Sequence, residues 1–296
     1  MQSGGRMEED RKIGKYRILG TLGQGGEGCV YLAEDEGLRR RAAVKRLWEK
    51  ESRSSEEITR EAALLRDLSH PMLPVVYELL YEDGWYLVME YVEGISLHKY
   101  IETQGRVQEE QARLWGTELL EVLGYLHMRN TPVIYRDLKP ENIILCRDGN
   151  LKLVDFGAAV LRSFGERQDG GMAYTAGYAA PEQRGRVPHA DERSDIYAFG
   201  KLLYYLVTGA NPGTAPYTAL PVSLYNPLLS VGLETVIRRC TEEEPEARYQ
   251  VVGEVMADLK RRDFGKRGGM KGGFVRHVEK QVYLTGKEGR GLLPGG

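Results

Sequence analysis

The sequence predicts an α+β protein of two lobes, a small antiparallel β-rich lobe followed by a larger, mostly helical one. Roughly the first ninety of the 296 residues read as strands with one helix among them. Two long helical patterns follow, at 108–130 and 194–209. A chain of this length can bury enough apolar surface for two lobes.

Three apolar runs rich in β-forming residues predict the first strands. "YRILGTLG" (16–23) and "CVYLAEDE" (29–36) flank a glycine-dense turn, and "RRAAVKRLW" (40–48) follows closely. Such runs, bounded by glycine or charged residues, are typical of strands joined by short turns.

One helix and a further hairpin complete the first lobe. The stretch 54–70 predicts the helix, because Ser54 and Glu57 form a capping box and apolar residues recur on one face. Residues 73–92 read as two strands about the turn Asp83-Gly84, a common hairpin signal.

The second lobe is predicted from four helical stretches. Residues 108–130 form a long amphipathic pattern, whereas 194–209 is nearly all apolar, must be buried, and closes at Gly209. Two further helical stretches run over about 230–241 and about 250–262.

These patterns divide the chain into one folded unit between two tails. The last 34 residues contain ten glycines, more basic than acidic residues and little apolar periodicity, which indicates a flexible tail or linker. The ending "GLLPGG" adds no closing element, as in a fragment of a longer protein. The predicted parts are an N-terminal tail (1–11), a folded unit (12–262, with lobes 12–89 and 95–262 about a connector 90–94) and a basic, glycine-rich tail (263–296).

Composition excludes several classes of function. The formal net charge of −2 favours neither nucleic acid nor an anionic membrane as the main partner. Three widely spaced cysteines argue against a disulfide framework and for a reducing setting. No stretch has the apolar length of a signal-peptide core or a membrane span. We therefore expect a cytoplasmic chain without a membrane span, or the cytosolic part of a longer, membrane-attached protein.

The glycine turn at 23–28 satisfies the pattern G-x-G-x-x-G, which is a weak signal alone. A strand-like run follows it, so it lies in a β-hairpin and does not fit a dinucleotide-binding fingerprint, which needs a helix there. No Gly-Lys-Ser/Thr follows, so a Walker loop is also excluded. A glycine hairpin still allows backbone N–H groups to approach a polyphosphate. The alternative interpretation is a turn that is merely flexible.

Lys45 lies among small apolar residues in "AAVKRL". It is either a lysine at a sheet edge or a buried cation that needs a partner. Glu61, on the capped helix, is placed to supply that partner, although helix carboxylates are commonly solvated.

The stretch "VIYRDLKPENIIL" (133–145) puts charged residues between two apolar runs. It fits either a solvated turn or a catalytic loop held by two short strands. Thirteen residues after Asn142, the strand "NLKLV" ends in Asp155. Carboxylate and amide oxygens are ligands that suit Mg²⁺ together with phosphate oxygens, which favours the catalytic loop.

Together these motifs resemble the eukaryotic-like (bacterial-type) Ser/Thr protein kinases over about residues 16–262. The matching elements, in order, are the glycine hairpin, "AAVK", Glu61, "YRDLKPEN", "DFG" (155–157), "AAPE" (179–182), "SDIYAFG" and the arginine in "PEARY". Eight elements in the family's order are far more specific than any one motif. The resemblance implies the bilobal protein-kinase fold and transfer of a phosphoryl group from Mg·ATP to protein hydroxyls.

The resemblance also implies a role for each matching residue. Asp137 would accept or orient the substrate hydroxyl proton, and Lys139 would neutralise charge on the transferring γ-phosphoryl group. Asn142 and Asp155 would hold Mg²⁺, with Mn²⁺ as an alternative ion. The expected nucleotide-binding residues are Gly23, Gly25 and Gly28 (phosphate lid), Lys45 with its partner Glu61 (α/β-phosphates), and Val30, Ala43, Met89, Glu90 and Val92 (adenine pocket and connector).

Further matches read as scaffold and specificity residues. Glu182 would pair with Arg248, and Asp195 would brace the catalytic loop from the buried helix. Arg136 would be placed to bind a phosphate on the activation segment. Lys139 together with Thr175 resembles hydroxyl-specific Ser/Thr enzymes rather than tyrosine kinases.

The chain departs from the family pattern in two places. Tyr135 stands where most members have histidine, and an aromatic ring can still pack in that position. Between the "DFG" and Thr175, Ser163 and Tyr174 are the only hydroxyl-bearing residues, so the usual mid-segment threonine is missing. That absence puts activation by loop phosphorylation in doubt.

An active kinase would have ATP and Ser/Thr-containing proteins as partners, with self-association for autophosphorylation as a further possibility. Two other functions compete with this one. The chain could be an ATP-binding pseudokinase or scaffold module. Loss of turnover usually shows as a missing lysine, aspartate or glycine, and the chain has Lys45, Asp137, Asn142 and Asp155. A small-molecule kinase of related fold is disfavoured by "AAPEQ", "SDIYAFG" and Arg248, which resemble a protein-substrate platform.

Overall fold

The computed structural model describes residues 11–25, 28–47, 55–156, 159–161, 175–184, 190–215 and 220–261. The strands are β1 (Lys12–Ile13), β2 (Tyr16–Gly25), β3 (Gly28–Asp35), β4 (Arg40–Leu47), β5 (Val76–Tyr81), β6 (Trp85–Glu90), β7 (Gly94–Ser96), β8 (Val133–Ile134), β9 (Ile143–Cys146), β10 (Leu151–Leu153) and β11 (Val160–Leu161). The α-helices are α1 (Ser55–Arg66), α2 (Leu97–Gln104), α3 (Glu109–His127), α4 (Glu192–Thr208), α5 (Val222–Tyr225), α6 (Val231–Cys240) and α7 (Val252–Lys260).

The first lobe is an antiparallel sheet of six strands in the order β1-β2-β3-β4-β6-β5, with α1 against one face. Alternate residues of a strand point to opposite faces, and directly paired residues share a face. One face of this sheet contributes to a small core that includes Tyr16, Ala42, Val44 and Val88. The other face turns towards α1 and the second lobe, and its apolar residues join the main core.

The second lobe is built around α4, whose residues from Ser194 to Thr208 are nearly all buried. Asp191 caps its start, because its side chain accepts a hydrogen bond from Arg193 N at 2.8 Å. Gly209 ends it in the left-handed region with φ 72°, which glycine adopts without strain. Helix α4 packs against α3 and α6, and Gly200 allows the close approach to α6, since a Cβ there would lie 2.5 Å from Cys240 Cβ.

The predicted α+β, two-lobed fold is confirmed, with small differences at the ends of elements. The helix predicted over 54–70 runs from Ser55 to Arg66, and the helix predicted over 108–130 ends at His127. Strand β7 and helix α2 were not predicted, because they are short and carry no clear periodicity. The side chain of Ser96 caps α2 by accepting a hydrogen bond from Lys99 N at 3.2 Å.

Some sequence-based expectations fall outside the described residues. These are the Ser54–Glu57 capping box, the side chain of Glu61, Gly157, most of the activation segment with Ser163 and Tyr174, and the tail beyond Arg261. Within the part of the chain that is described, no helix combines the length and apolar character needed to cross a bilayer.

Candidate active site

The loop between β8 and β9 carries Arg136, Asp137 and Lys139, and α4 fixes its backbone. Asp195, fully buried in the first turn of α4, accepts hydrogen bonds from Tyr135 N at 2.9 Å and Arg136 N at 2.7 Å. His127 Nε2 lies 2.8 Å from the same carboxylate. Arg136 has φ 70°, a conformation that costs energy for a non-glycine residue and persists where contacts enforce it. The predicted bracing of the loop by Asp195 is confirmed.

The carboxylate of Asp137 is surrounded by three side chains. Lys139 Nζ lies 2.6 Å from its Oδ2, and Thr175 Oγ1 donates to its Oδ1 at 2.7 Å. Asn142 Nδ2 donates to Oδ2 at 2.9 Å and to the Asp137 carbonyl at 3.0 Å. Lys139 Nζ also donates to Thr175 Oγ1 at 3.1 Å. The carboxylate is therefore oriented and kept in reach of one ammonium group.

A second carboxylate, that of Asp155, lies just beyond β10 and forms an ion pair with Lys45 of the first lobe. Lys45 Nζ donates a hydrogen bond to Asp155 Oδ1, and Lys45 is 5% exposed. Asp155 itself has φ 69°. Val154 N donates to Asn142 O at 2.8 Å, so Asp155 and Asn142 sit beside each other where the paired strands β9 and β10 begin and end.

The oxygen atoms of this pair fit a hard divalent cation. Both amide protons of Asn142 are directed at Asp137, so the side-chain oxygen is the ligand atom that Asn142 offers. Asp155 adds a carboxylate. A small set of one or two protein oxygens, completed by water and phosphate oxygens, is the arrangement that Mg²⁺ usually takes at phosphoryl-transfer sites.

Tyr135 contacts the residues on either side of Asp155, namely Val154 and Phe156. Its side chain is fully buried, its hydroxyl donates to Val154 O at 2.5 Å, and its ring meets Phe156 edge-on with centroids 5.2 Å apart. Burial, with the neighbouring Asp155 and Asp137 charges, holds the pKa of this phenol well above its usual value. The hydroxyl therefore stays protonated and acts as a donor.

The segment that carries Thr175 is anchored against the loop after α4. Gly177 has φ 84°, and a Cβ there would lie 1.9 Å from Pro212 O, so only glycine fits. The hydroxyl of Tyr178 donates to Asn211 Oδ1 at 3.0 Å. These contacts hold the Thr175 hydroxyl beside Asp137.

The sheet register gathers the predicted nucleotide-binding residues on one face. Val30 pairs with Lys45 and Gly23, and Ala43 pairs with Met89. Because residues two apart in a strand share a face, these five positions line the side of the sheet from which Lys45 reaches Asp155. Gly25 pairs with Gly28 at the end of the hairpin, and Gly28 has φ 146°, which disfavours any residue with a Cβ.

An apolar cavity of about 30 Å³ lies behind this face, between the sheet and α1. Lys45, Met89 and Phe156 form its boundary with the inter-lobe site. The remaining lining is aliphatic and comes mainly from α1 and the segment 68–76 (Leu47, Ile58, Ala62, Leu65, Leu68, Leu73, Pro74, Val76 and Leu87).

The connector between the lobes begins at Glu90, whose carboxylate does not point towards the nucleotide face. It accepts hydrogen bonds from Lys152 Nζ at 2.9 and 3.0 Å and from Val75 N at 3.1 Å. The part of Glu90 that an adenine could meet is therefore its backbone. Val92 is half-buried in the irregular stretch 91–93 that follows.

Two polar contacts of the site had no sequence signal. Thr175 was singled out as a mark of hydroxyl specificity, but its bond to Asp137 spans 38 residues and follows no local pattern. The hydroxyl bond of Tyr135 was likewise unexpected, since only packing was foreseen for its ring. The pairing of Lys45 with Glu61 stays a prediction, because the Glu61 side chain is not among the described parts.

The predicted pair of Glu182 and Arg248 is confirmed away from the site. Arg248 Nη1 and Nη2 lie 2.7 and 2.9 Å from the two carboxylate oxygens, and Ser194 Oγ donates to Glu182 at 2.7 Å. Burial alone would raise the pKa of Glu182, but the hydrogen bonds from Arg248 and Ser194 bring it below its usual value.

Comparison with known proteins gives a consistent result. Residues 16–251 match the family model described as a protein kinase domain. The chain is 33% identical over 268 residues to the Serine/threonine-protein kinase PrkC of Bacillus subtilis, covering 84% of this chain and 41% of that protein. It is 33% identical to the Serine/threonine-protein kinase PknB of Mycobacterium leprae, covering 83% and 42%. The chain thus spans about two fifths of the length of these relatives.

A solved structure supports the fold alone. The kinase domain of Mycobacterium tuberculosis PknI superposes with a TM-score of 0.67 at 24% identity, covering 85% of this chain and 97% of that one.

Proposed function

Because the chain belongs to the protein kinase family, we propose that it transfers the γ-phosphoryl group of Mg·ATP to serine and threonine hydroxyls of proteins, itself included. Family membership implies ATP and a divalent metal ion; Mg²⁺, with Mn²⁺ as the alternative, is the specific proposal. We also propose the kinase unit as 12–262, with lobes 12–89 and 95–262 about the connector 90–94, followed by the tail 263–296. Its proposed location is cytoplasmic, either alone or as the cytosolic part of a membrane-attached protein.

One observation carries the proposal: the oriented carboxylate of Asp137 lies in the same site as the Lys45–Asp155 pair. Asp137 contacts Lys139, Thr175 and Asn142, and Asn142 is bonded through its backbone to the residue before Asp155. Phosphoryl transfer requires little covalent chemistry from the protein, so positioned charges of this kind account for most of the catalysis.

Each residue then has a defined task. Asp137 orients the substrate hydroxyl and receives its proton, a contribution of about 10²–10⁴-fold for a positioned base. Lys139 lies beside that carboxylate and offsets charge that develops on the transferred group. Lys45 binds phosphate oxygens, and Asn142 and Asp155 supply the oxygens that hold the metal ion. The ion, when bound, neutralises phosphate charge and fixes the geometry of the phosphates.

Lys45 and Asp155 face each other directly, and this contact suits a site that opens to admit a nucleotide. The ammonium group and the carboxylate neutralise each other across the two lobes. A phosphate and its metal ion would take over as partners, the anion for Lys45 and the cation for Asp155. Val30, Ala43 and Met89 offer an apolar face for the adenine, with the backbone of Glu90 and Val92 at its edge. Gly23, Gly25 and Gly28 leave room over the phosphates.

The proposal is tested by comparing the protein with its Asp137→Asn variant. Both are incubated with labelled ATP, Mg²⁺ and a generic basic protein, and ATP binding is measured in parallel. We expect the variant to retain binding and to lose transfer by about 10²-fold or more. Asp148→Asn is the matched control, because Asp148 lies in the β9–β10 turn and its carboxylate accepts hydrogen bonds from Asn150.

Two results would replace the proposal. If the unmodified protein binds ATP and transfers no label to any acceptor, the chain is an ATP-binding scaffold. If label reaches small molecules and no protein, the chain is a small-molecule kinase.

A further inference from the structure

Exposed apolar residues are concentrated in one short stretch of the second lobe. Of the thirteen large apolar side chains that are exposed in the described residues, five lie between 220 and 231. We call four of them the α5 patch: Leu220, Leu224, Leu228 and Val231. Their exposed fractions are 50, 68, 82 and 40%. Monomeric proteins rarely leave such residues clustered without a partner.

The patch lies on a rigid base. Leu224 lies within the single turn of α5, and Leu220 lies two residues before that turn begins. The chain then turns, since Asn226 N donates to Val222 O at 2.8 Å and Leu229 N to Asn226 O at 3.2 Å. Asn226 Nδ2 also donates to Val207 O at 3.0 Å, which ties the turn to α4.

The end of the described chain lies beside the patch. Arg113 Nη2 donates to Ser230 Oγ at 3.1 Å, and Nη1 of the same guanidinium lies 3.5 Å from Arg261 O. Ser230 immediately precedes Val231 of the patch. The Arg113 guanidinium therefore bridges Ser230 and Arg261, the residue after which 262–296 follow.

The sequence beyond Arg261 contains an apolar segment that could cover this surface. Residues 263–296 contain seven Lys and Arg against three Asp and Glu. Their densest apolar stretch is "FVRHVEKQVYL" (274–284), with six apolar side chains in eleven positions. Charged residues of both signs adjoin the patch: Glu234 lies in the first turn of α6 and Glu109 accepts a hydrogen bond from Ser230 N at 2.9 Å, while Arg106 donates to Tyr225 O.

We propose that residues 274–284 of the same chain dock on the α5 patch, an interaction that goes beyond the proposed kinase activity. A tether of about ten residues gives the segment an effective concentration in the millimolar range at a site beside its origin. A contact too weak to hold a free peptide is then enough to keep the segment docked. A second copy of the chain at micromolar concentration would need about 10³-fold higher affinity to compete, which is why the tail is the favoured occupant.

The first test is amide hydrogen exchange of the full chain. We expect the amides of 274–284 to exchange at least about tenfold more slowly than in a synthetic peptide of that sequence. Leu224→Asp and Leu228→Asp should bring them to the peptide rate, while Leu38→Asp should not. Leu38 is the matched control, because it is 64% exposed in the β3–β4 turn of the other lobe. Peptide-rate exchange in the unmodified chain, or equal protection in all variants, would overturn the proposal.

A second measurement locates the contact and identifies its source. A photoreactive benzoylphenylalanine in place of Val278 should cross-link to a peptide that contains 220–231, within one chain and independently of protein concentration. Cross-links to other surfaces refute the docking site. Cross-links between two chains, with protection that rises with concentration and a dimer mass, assign the patch to a second copy and overturn the proposal.

Discussion

Replacing Arg248 with methionine tests how the second lobe is held together. Arg248 is the largest fully buried side chain of the described residues, and its guanidinium contacts more than Glu182. It donates to Glu242 O and Glu243 O, both at 2.8 Å, and to Arg193 O at 3.1 Å. Methionine keeps most of the volume and removes every one of these donors.

The expected loss of stability follows from the groups that Arg248→Met deprives of hydrogen bonds. The Glu182 carboxylate, whose side chain is 14% exposed, loses both donors of Arg248 and keeps Ser194 and a backbone N–H, and three carbonyl groups lose the hydrogen bonds that Arg248 donates. Removing one partner of a buried ion pair costs about 3–5 kcal/mol. For a unit of this size, each kcal/mol lowers the melting temperature by about 2–4 °C, so we expect a decrease of about 6–20 °C.

The assay is thermal unfolding followed by circular dichroism at 222 nm, where the helical lobe dominates the signal. Arg238→Met is the matched control. Arg238 pairs with Glu242 at 3.5 Å, but the two side chains are 69 and 39% exposed, and ion pairs of this kind contribute about 0–1 kcal/mol. Equal melting temperatures for Arg248→Met and Arg238→Met would refute the reasoning, because burial of the pair would then have no energetic consequence.

Three further predictions concern the site and the buried pair. Tyr135→Phe removes the hydroxyl that donates to Val154 O and lies beside Asn142. We expect a folded protein that needs several-fold more Mg²⁺ for half-maximal activity, measured by metal titration. An unchanged requirement would show that this hydroxyl does not position the metal-binding residues. Thr175→Val removes the hydroxyl that donates to Asp137, so turnover should fall about tenfold or more while ATP affinity stays unchanged. Thr175→Ser, the control, should retain most activity. A parallel loss of ATP affinity would contradict the role of Thr175 in orienting Asp137. The pKa of Glu182 is lower in the folded protein than in the unfolded chain, so its contribution to stability should be fully present above about pH 4.5. That contribution should be lost as the pH falls through the folded pKa. Glu182→Gln should flatten this part of the curve of unfolding free energy against pH.

Local patterns predicted most of the elements and the residues that carry chemistry. The alternation of 29–36 and 40–48 predicted β3 and β4 within one residue at either end, and the apolar stretch 194–209 predicted α4 with its stop at Gly209. These signals are local, because strand and helix periods and caps depend on neighbours only a few residues away. Short elements such as β7 and α2 have too few residues to express a period.

The contacts of the site required the tertiary structure. Lys45 and Asp155 are 110 residues apart, and Thr175 meets Asp137 across 38 residues. No periodic pattern spans such distances; the packing of the sheet on the second lobe and the anchoring of Gly177 bring these groups together. The sequence alone determined which residue types are present and on which elements they lie. Only the folded chain decided which of them touch, because side-chain partners depend on how whole elements pack and not on the order of residues along the chain.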